Sequence, residues 1–102
     1  MRVVQVDPQD SALHRFLRVT DLIYADDPLT IAPANRAERT LISDPDYVDR
    51  QALFLVERDG RALGRCAARL RADSTTGTIG FFECANDIDA CRLVLDAAER
   101  WL

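Results

Sequence analysis

ALFLVERDGRALGRCAARLRADSTTGTIGFFEC, residues 52–84, reads as three strands, ALFLVER, RALGRCAARLR and TIGFFEC. Asp59-Gly60 separates the first two, and this dipeptide accepts the positive φ angles that a two-residue hairpin turn needs. Leu53, Phe54, Leu55 and Val56 run apolar without alternation, so the first strand is expected to be covered on both faces. The second strand alternates. Gly64, Cys66, Ala68 and Leu70 are expected on one face, and Arg65, Arg69 and Arg71 on the other with Leu63 and Ala67. In the third, Ile79, Phe81 and Glu83 are set opposite Gly80, Phe82 and Cys84.

Working outward, Arg2 to Val6 (RVVQV) is a short strand ended by Asp7-Pro8, and it is expected to add beside ALFLVER. Either Asp7 caps a helix with Pro8 at its first position, or Asp10 caps one starting at Ser11. Leu13, Phe16, Leu17, Thr20, Ile23 and Tyr24 recur at helical spacing and give that helix an apolar face. It should stop near Asp26, because Pro28 disfavours helical geometry in the residue before it. On the other side, Asn86 or Asp87 caps a final helix, with Asp89 adding negative charge in its first turn. Its apolar stripe is read as Ile88, Cys91, Leu95, Ala98 and Leu102, widened by Val94 and Trp101. Residues 28–51 carry Pro28, Pro33 and Pro45 and hold at most one short helix, Arg36 to Ile42, with Asn35 as a candidate cap. A connection of this length suits a lid or substrate loop. It equally suits a wrapping loop pinned by Ile31, Leu41, Ile42 and Tyr47. The predicted fold is therefore α+β: a mostly antiparallel sheet of four strands, helices on both faces, in the order β-α-(α)-β-β-β-α.

At 102 residues the chain is one domain, 1–102, long enough to bury roughly 60–70% of its unfolded surface. Its 13 basic and 17 acidic side chains leave a net charge of −4, which argues against binding nucleic acid over a wide surface. No apolar run approaches the roughly 20 residues of a membrane span, and no signal-peptide core is present, so the expectation is a cytoplasmic protein. Cys66, Cys84 and Cys91 are an odd number without CxxC spacing, and three thiols with one distant histidine make a poor metal site. They read as small core residues, and His14 as a surface histidine. No metal and no disulfide are expected.

FLRVTDLIYADDP (Phe16 to Pro28), ALFLVERDGRALGRCAA (Ala52 to Ala68), GFFEC (Gly80 to Cys84) and LDAAERWL (Leu95 to Leu102) together resemble the N-terminal half of a bacterial GNAT-family N-acetyltransferase. The DGRxxGR hairpin followed by GFFE carries most of the likeness, which covers nearly the whole chain but about half of a GNAT domain. The resemblance implies acetyl-CoA as the cofactor and an amine as acceptor. It implies that the strand holding Phe81 and Phe82 lines the cofactor cleft through its backbone. It places the pyrophosphate at the following turn, where Cys84, Ala85, Asn86 and Asp87 offer backbone amides. Where the family has glycines and a basic residue, this turn has two aspartates, Asp87 and Asp89.

By the same resemblance Glu83 is the general base that deprotonates the amine, its pKa raised by burial between Phe81, Phe82 and a covering helix. The plainer alternative is a strand-end carboxylate paired with Arg65 or Arg69. Tyr24, Asp26 and Asp27 match the start of the family's substrate loop, and the acidic pair suits an amine. Two functions stay open, an acetyl-transferring domain and a non-catalytic module that keeps the scaffold for dimerisation or ligand sensing. In a complete GNAT domain a further strand lies beside TIGFFEC. Without it, that strand is a sheet edge, and a homodimer is expected through Gly80–Cys84 and the helix Val94–Leu102.

Overall fold

The computed structural model describes residues 1–8, 11–23, 35–44, 47, 50–70 and 76–102. Among these, the chain runs β1 (Arg2–Val6), α1 (Leu13–Ile23), α2 (Asn35–Ile42), β2 (Gln51–Arg58), β3 (Arg61–Leu70), β4 (Gly77–Cys84) and α3 (Ile88–Trp101). The strands form one antiparallel sheet in the order β1-β2-β3-β4. The α+β architecture read from the residues is the one observed. Asp59 and Gly60 both have positive φ, 53° and 78°, and Arg58 pairs with Arg61 across them. That is the turn whose twist matches the flanking strands.

Each face of the sheet has its own core. Leu53, Leu55 and Ala67 meet Leu13, Phe16, Leu17 and Val19 of α1, with Ile42 from α2. On the reverse face Ala52, Phe54, Val56, Cys66 and Ala68 meet Ala90, Val94 and Ala98 of α3. The run Leu53–Val56 is buried throughout, as its unbroken apolar character requires. Burying each large side chain here is worth roughly 1.5–3 kcal/mol. Two helix faces differ from the sequence pattern. Val19 is fully buried because α2 covers a second flank of α1. The stripe of α3 is centred on Ala90, Val94 and Ala98, and Ile88 is 66% exposed. Ala90, Val94 and Ala98 are the residues of α3 buried with Ala52, Phe54, Val56, Cys66 and Ala68, so α3 seats on its alanine side and leaves Ile88 outside.

Two register shifts break the simple alternation. Val56 pairs with Gly64 but Glu57 with Ala62, so Leu63 is the extra residue and packs on the α3 side, away from the arginines with which alternation groups it. On β4, Glu83 pairs with Arg65 and Gly80 with Ala67, leaving both Phe81 and Phe82 against Cys66. Phe81 takes a φ of 53°, a left-handed conformation that costs a non-glycine residue roughly 1–2 kcal/mol. Its ring is held against the α1-side core. The shift separates Ile79, opposite Ala68, from Phe81 and Glu83, so the two sets of alternating residues expected along TIGFFEC do not persist through the strand.

Glu57 closes the far end of the α1 face. It is buried, and its carboxylate accepts from Arg2 Nε at 2.6 Å and from Arg15 Nη2 at 2.5 Å. The Arg15 hydrogen bond first, and the Arg2 hydrogen bond next, hold its pKa below the ordinary 4.5 against the opposing effect of burial. A carboxylate depressed in the folded state adds stability that is complete above the unfolded value of 4.5 and is lost as pH falls through the folded value. Arg2 is 77% and Arg15 43% exposed, so solvent screens both pairs. Glu57→Gln should therefore cost about 1–3 kcal/mol at neutral pH and much less at about pH 3. Urea melts of both proteins at the two pH values check this, and an equal cost at both would refute the assignment.

Candidate functional site

The candidate residues from Phe81 to Asp87 lie at the C-terminal end of β4, an edge of the sheet, and in the turn that follows it. The Ala85 amide donates to the Leu63 carbonyl at 2.8 Å. Backbone groups alternate along a strand, so those of Cys84 point away from β3 toward the open edge. Beside them lies a cavity of about 570 Å³ lined by Leu22, Ile23, Ala62, Cys84, Ala85 and Asn86. It joins the last turn of α1 to the turn between β4 and α3. Cys84, Ala85 and Asn86 thus meet at one concave place. Phe81, Phe82 and Asp87 are neighbours of that place but not part of its wall. Tyr24, Asp26 and Asp27 lie outside the described residues.

Glu83 stands directly opposite Arg65 in the β3–β4 register and is half-buried. Arg65 is buried to 2% exposure beneath α1 and α2. Its guanidinium donates to Glu38 Oε2 at 2.7 Å and to the Phe16 carbonyl at 3.1 Å, with its charge 5.0 Å from the centre of the Phe16 ring. Among the described residues, Arg65 Nε and Glu38 Oε1 have no hydrogen-bond partner. They flank the Arg65–Glu38 bond as the unmade second prong of an arginine–carboxylate fork. Arg69 donates to Gln51 Oε1 and to the Leu41 carbonyl and lies over the rings of Tyr47, at 4.0 Å, and Phe81, at 5.5 Å. The bonds described for these two arginines run to α1, α2 and β2. Sequence reasoning gave Glu38 no role. The signal for it was a carboxylate in a short amphipathic helix, which alone does not say which arginine it meets.

The turn after β4 is organised by Asp87. As N-cap of α3 its Oδ1 accepts from the amides of Asp89 and Ala90, each at 3.1 Å, and its other oxygen lies 3.4 Å from Arg58 Nη2. Two of the helix-end amides that could face an anion are therefore taken by the protein's own carboxylate. Cys84, just before the turn, has its thiol pushed up to about 12 by burial, then by a hydrogen bond with Cys91 and by the charges of Cys91 and Asp87. Such a thiol carries little thiolate at neutral pH and is a slow nucleophile there. Among the described residues, no cluster of three or more His, Cys, Asp or Glu side chains is placed to hold a metal ion. Likewise, no described helix is long and apolar enough to cross a membrane.

Comparison with protein-family profiles, with curated proteins and with solved structures finds no match to this chain.

Asp87 sets the electrostatics of the turn, and removing its carboxylate has two expected consequences. Asp87→Ala should lower stability by about 1 kcal/mol, the usual value of a helix N-cap. It should also release the Asp89 and Ala90 amides, so that inorganic phosphate raises the melting temperature of the variant more than that of the parent. Thermal melts with and without phosphate measure both, and an identical phosphate response would show that Asp87 does not block the turn.

Proposed function

We propose that this chain is a GNAT-like module of an acyl-CoA-dependent N-acyltransferase, a cytoplasmic protein that passes an acetyl group from acetyl-CoA to an amine. The carrying observation is the arrangement at the end of β4. Glu83 precedes Cys84, and Cys84 both turns its backbone toward the open edge and lines the cavity against the last turn of α1. The resemblance in DGRALGR and GFFEC supplies the reaction class.

Acetyl-CoA supplies the activated thioester. Glu83 takes the proton from the acceptor ammonium, leaving a lone pair able to attack the thioester carbonyl. Backbone donors on the open edge of β4 suit the oxygen on which negative charge develops. Arg65, held by Glu38 and the Phe16 carbonyl, keeps a positive charge opposite Glu83. The thioester end therefore fits the edge and the cavity. The diphosphate end fits less well, because Asp87 occupies the Asp89 and Ala90 amides. An isothermal titration with acetyl-CoA tests the reading. Micromolar affinity supports it, and millimolar affinity or none removes it. With a panel of primary amines, Glu83→Gln should then slow acetyl-CoA consumption by roughly 10²–10⁴-fold while leaving acetyl-CoA affinity within a few-fold.

A second reading, a scaffold used for self-association, is favoured by one specific feature. The core contacts of α3 lie chiefly on β2 and β3, and Ile79, Phe82, Ile88 and Leu102 are left exposed around the edge strand and the two ends of the helix. Glu83 is the one charged side chain of β4, so an antiparallel self-pairing centred between Gly80 and Phe81 sets each Glu83 opposite Thr78 and brings no like charges face to face. Covering several large apolar side chains at roughly 1.5–3 kcal/mol each is enough to offset association costs. The dimer surface is then Gly80–Cys84 with the outer side of the helix segment Val94–Leu102, whose Val94 and Ala98 are buried against the sheet. Light scattering at high micromolar concentration should give twice the chain mass, and Phe82→Asp should give the monomer. A monomeric parent protein would exclude this reading.

A further inference from the structure

Three thiols sit in the α3 half of the molecule, and two of them meet. Cys84 is the last residue of β4 and Cys91 lies in the first turn of α3, joined by the turn that Asp87 caps. The Cys91 thiol reaches back over this turn, 3.9 Å from the carbonyl of Ala85, the residue that follows Cys84, and it is close enough to Cys84 to help raise that thiol's pKa. Cys84 Sγ lies over Gly64, in space that a Cβ at that position would contest at 2.9 Å. Both side chains are half-buried, within reach of a small oxidant. Cys66 differs. It is fully buried, bonded to the Val94 carbonyl at 3.3 Å, and burial raises its pKa to about 11.

We propose that Cys84 and Cys91 form a reversible dithiol–disulfide pair that ties the end of β4 to the first turn of α3. The oxidant is a low-molecular-weight disulfide such as oxidised glutathione. The Cys91 sulfur, as thiolate, attacks one sulfur of that disulfide, breaking its S–S bond and expelling one small thiolate. The Cys84 sulfur, on losing its proton to solvent, attacks Cys91 Sγ in the mixed disulfide and expels the second. The protein loses two protons and two electrons, and the oxidant takes them up as two thiols. Because the Cys84 thiol holds its proton so tightly, the second step is slow at neutral pH and accelerates as pH rises. The bond closes a loop over residues 85–90, so oxidation fixes the wall that Cys84, Ala85 and Asn86 give to the cavity.

The test uses the whole chain, freshly reduced and then incubated with oxidised glutathione at mildly alkaline pH. Thiol titration under denaturing conditions should fall from three groups to one, and the intact mass should drop by two hydrogens. Cleavage at Asp87 or Asp89 should leave two peptides that stay joined until a reductant is added. The oxidised form should melt at a higher temperature than the reduced one, and Cys91→Ser should abolish both the ring closure and the shift. Cys84→Ser gives the same readout from the other side, in case one variant folds poorly. Three surviving thiols, a product halted at a glutathione adduct, a bond involving Cys66, or a disulfide between two chains would each overturn the proposal.

Discussion

Gln51 to Glu57 are buried without interruption, and a strand buried on both faces must have a cover on each. On one side Leu53 and Leu55 demand the bulky face of α1, with Phe16 and Leu17 filling the space and Ile42 of α2 closing it. On the other, Ala52, Phe54, Val56, Cys66 and Ala68 are covered by Ala90, Val94 and Ala98 of α3. The polar ends of the same strand follow from the same constraint. Glu57 remains charged in the interior only because Arg2 and Arg15 reach it. Gln51 uses its side chain on the Ile42 carbonyl and on Arg69.

The less regular features concentrate toward β4. Its register slips at Phe81, whose left-handed backbone costs energy and is held by its ring's place against the α1-side core and near Arg69. That slip brings Glu83 opposite Arg65 and separates it from Ile79. Arg65 in turn is a buried cation that α1 and α2 jointly satisfy, through the Phe16 carbonyl and Glu38. The position of Glu83 therefore depends on the packing of α1 and α2, both of which lie far earlier in the chain. A change in how α2 seats against α1 would be felt at the edge strand.

Asp87 illustrates how a stability device and a binding device compete for the same atoms. A helix N-terminus has amides to satisfy, and a carboxylate in the cap position satisfies two of them here. The same amides are what an anionic ligand would seek. The acyl-transfer reading therefore rests on the edge of β4 and on Glu83. The exposed apolar residues around that edge are the feature shared with the self-association reading. Both readings draw on one surface, and they make opposite demands on it, open for a thioester or covered by a second copy.

Local sequence was enough for much of the fold. Asp-Gly named its turn because few dipeptides tolerate two positive φ angles, the unbroken LFLV run named the doubly covered strand, and Asp87 was one of two residues able to cap α3. The antiparallel pairing of β2 with β3 followed from a tight hairpin. Of the candidate site, Cys84, Ala85 and Asn86 proved to share a wall. Tertiary structure alone decided the rest. Which flank of α3 faces the sheet was decided by packing against Ala52, Phe54, Val56, Cys66 and Ala68, so Ala90 went in and Ile88 stayed out. The bulges at Leu63 and Phe81 have no local signature, because a period of two in sequence cannot announce where one strand spends an extra residue against another. The Arg65–Glu38 and Glu57–Arg15 pairings and the meeting of Cys84 with Cys91 are likewise products of packing. Charge and thiol chemistry were legible as residue types, but partners are chosen by distance, and distance is set only when the helices close on the sheet.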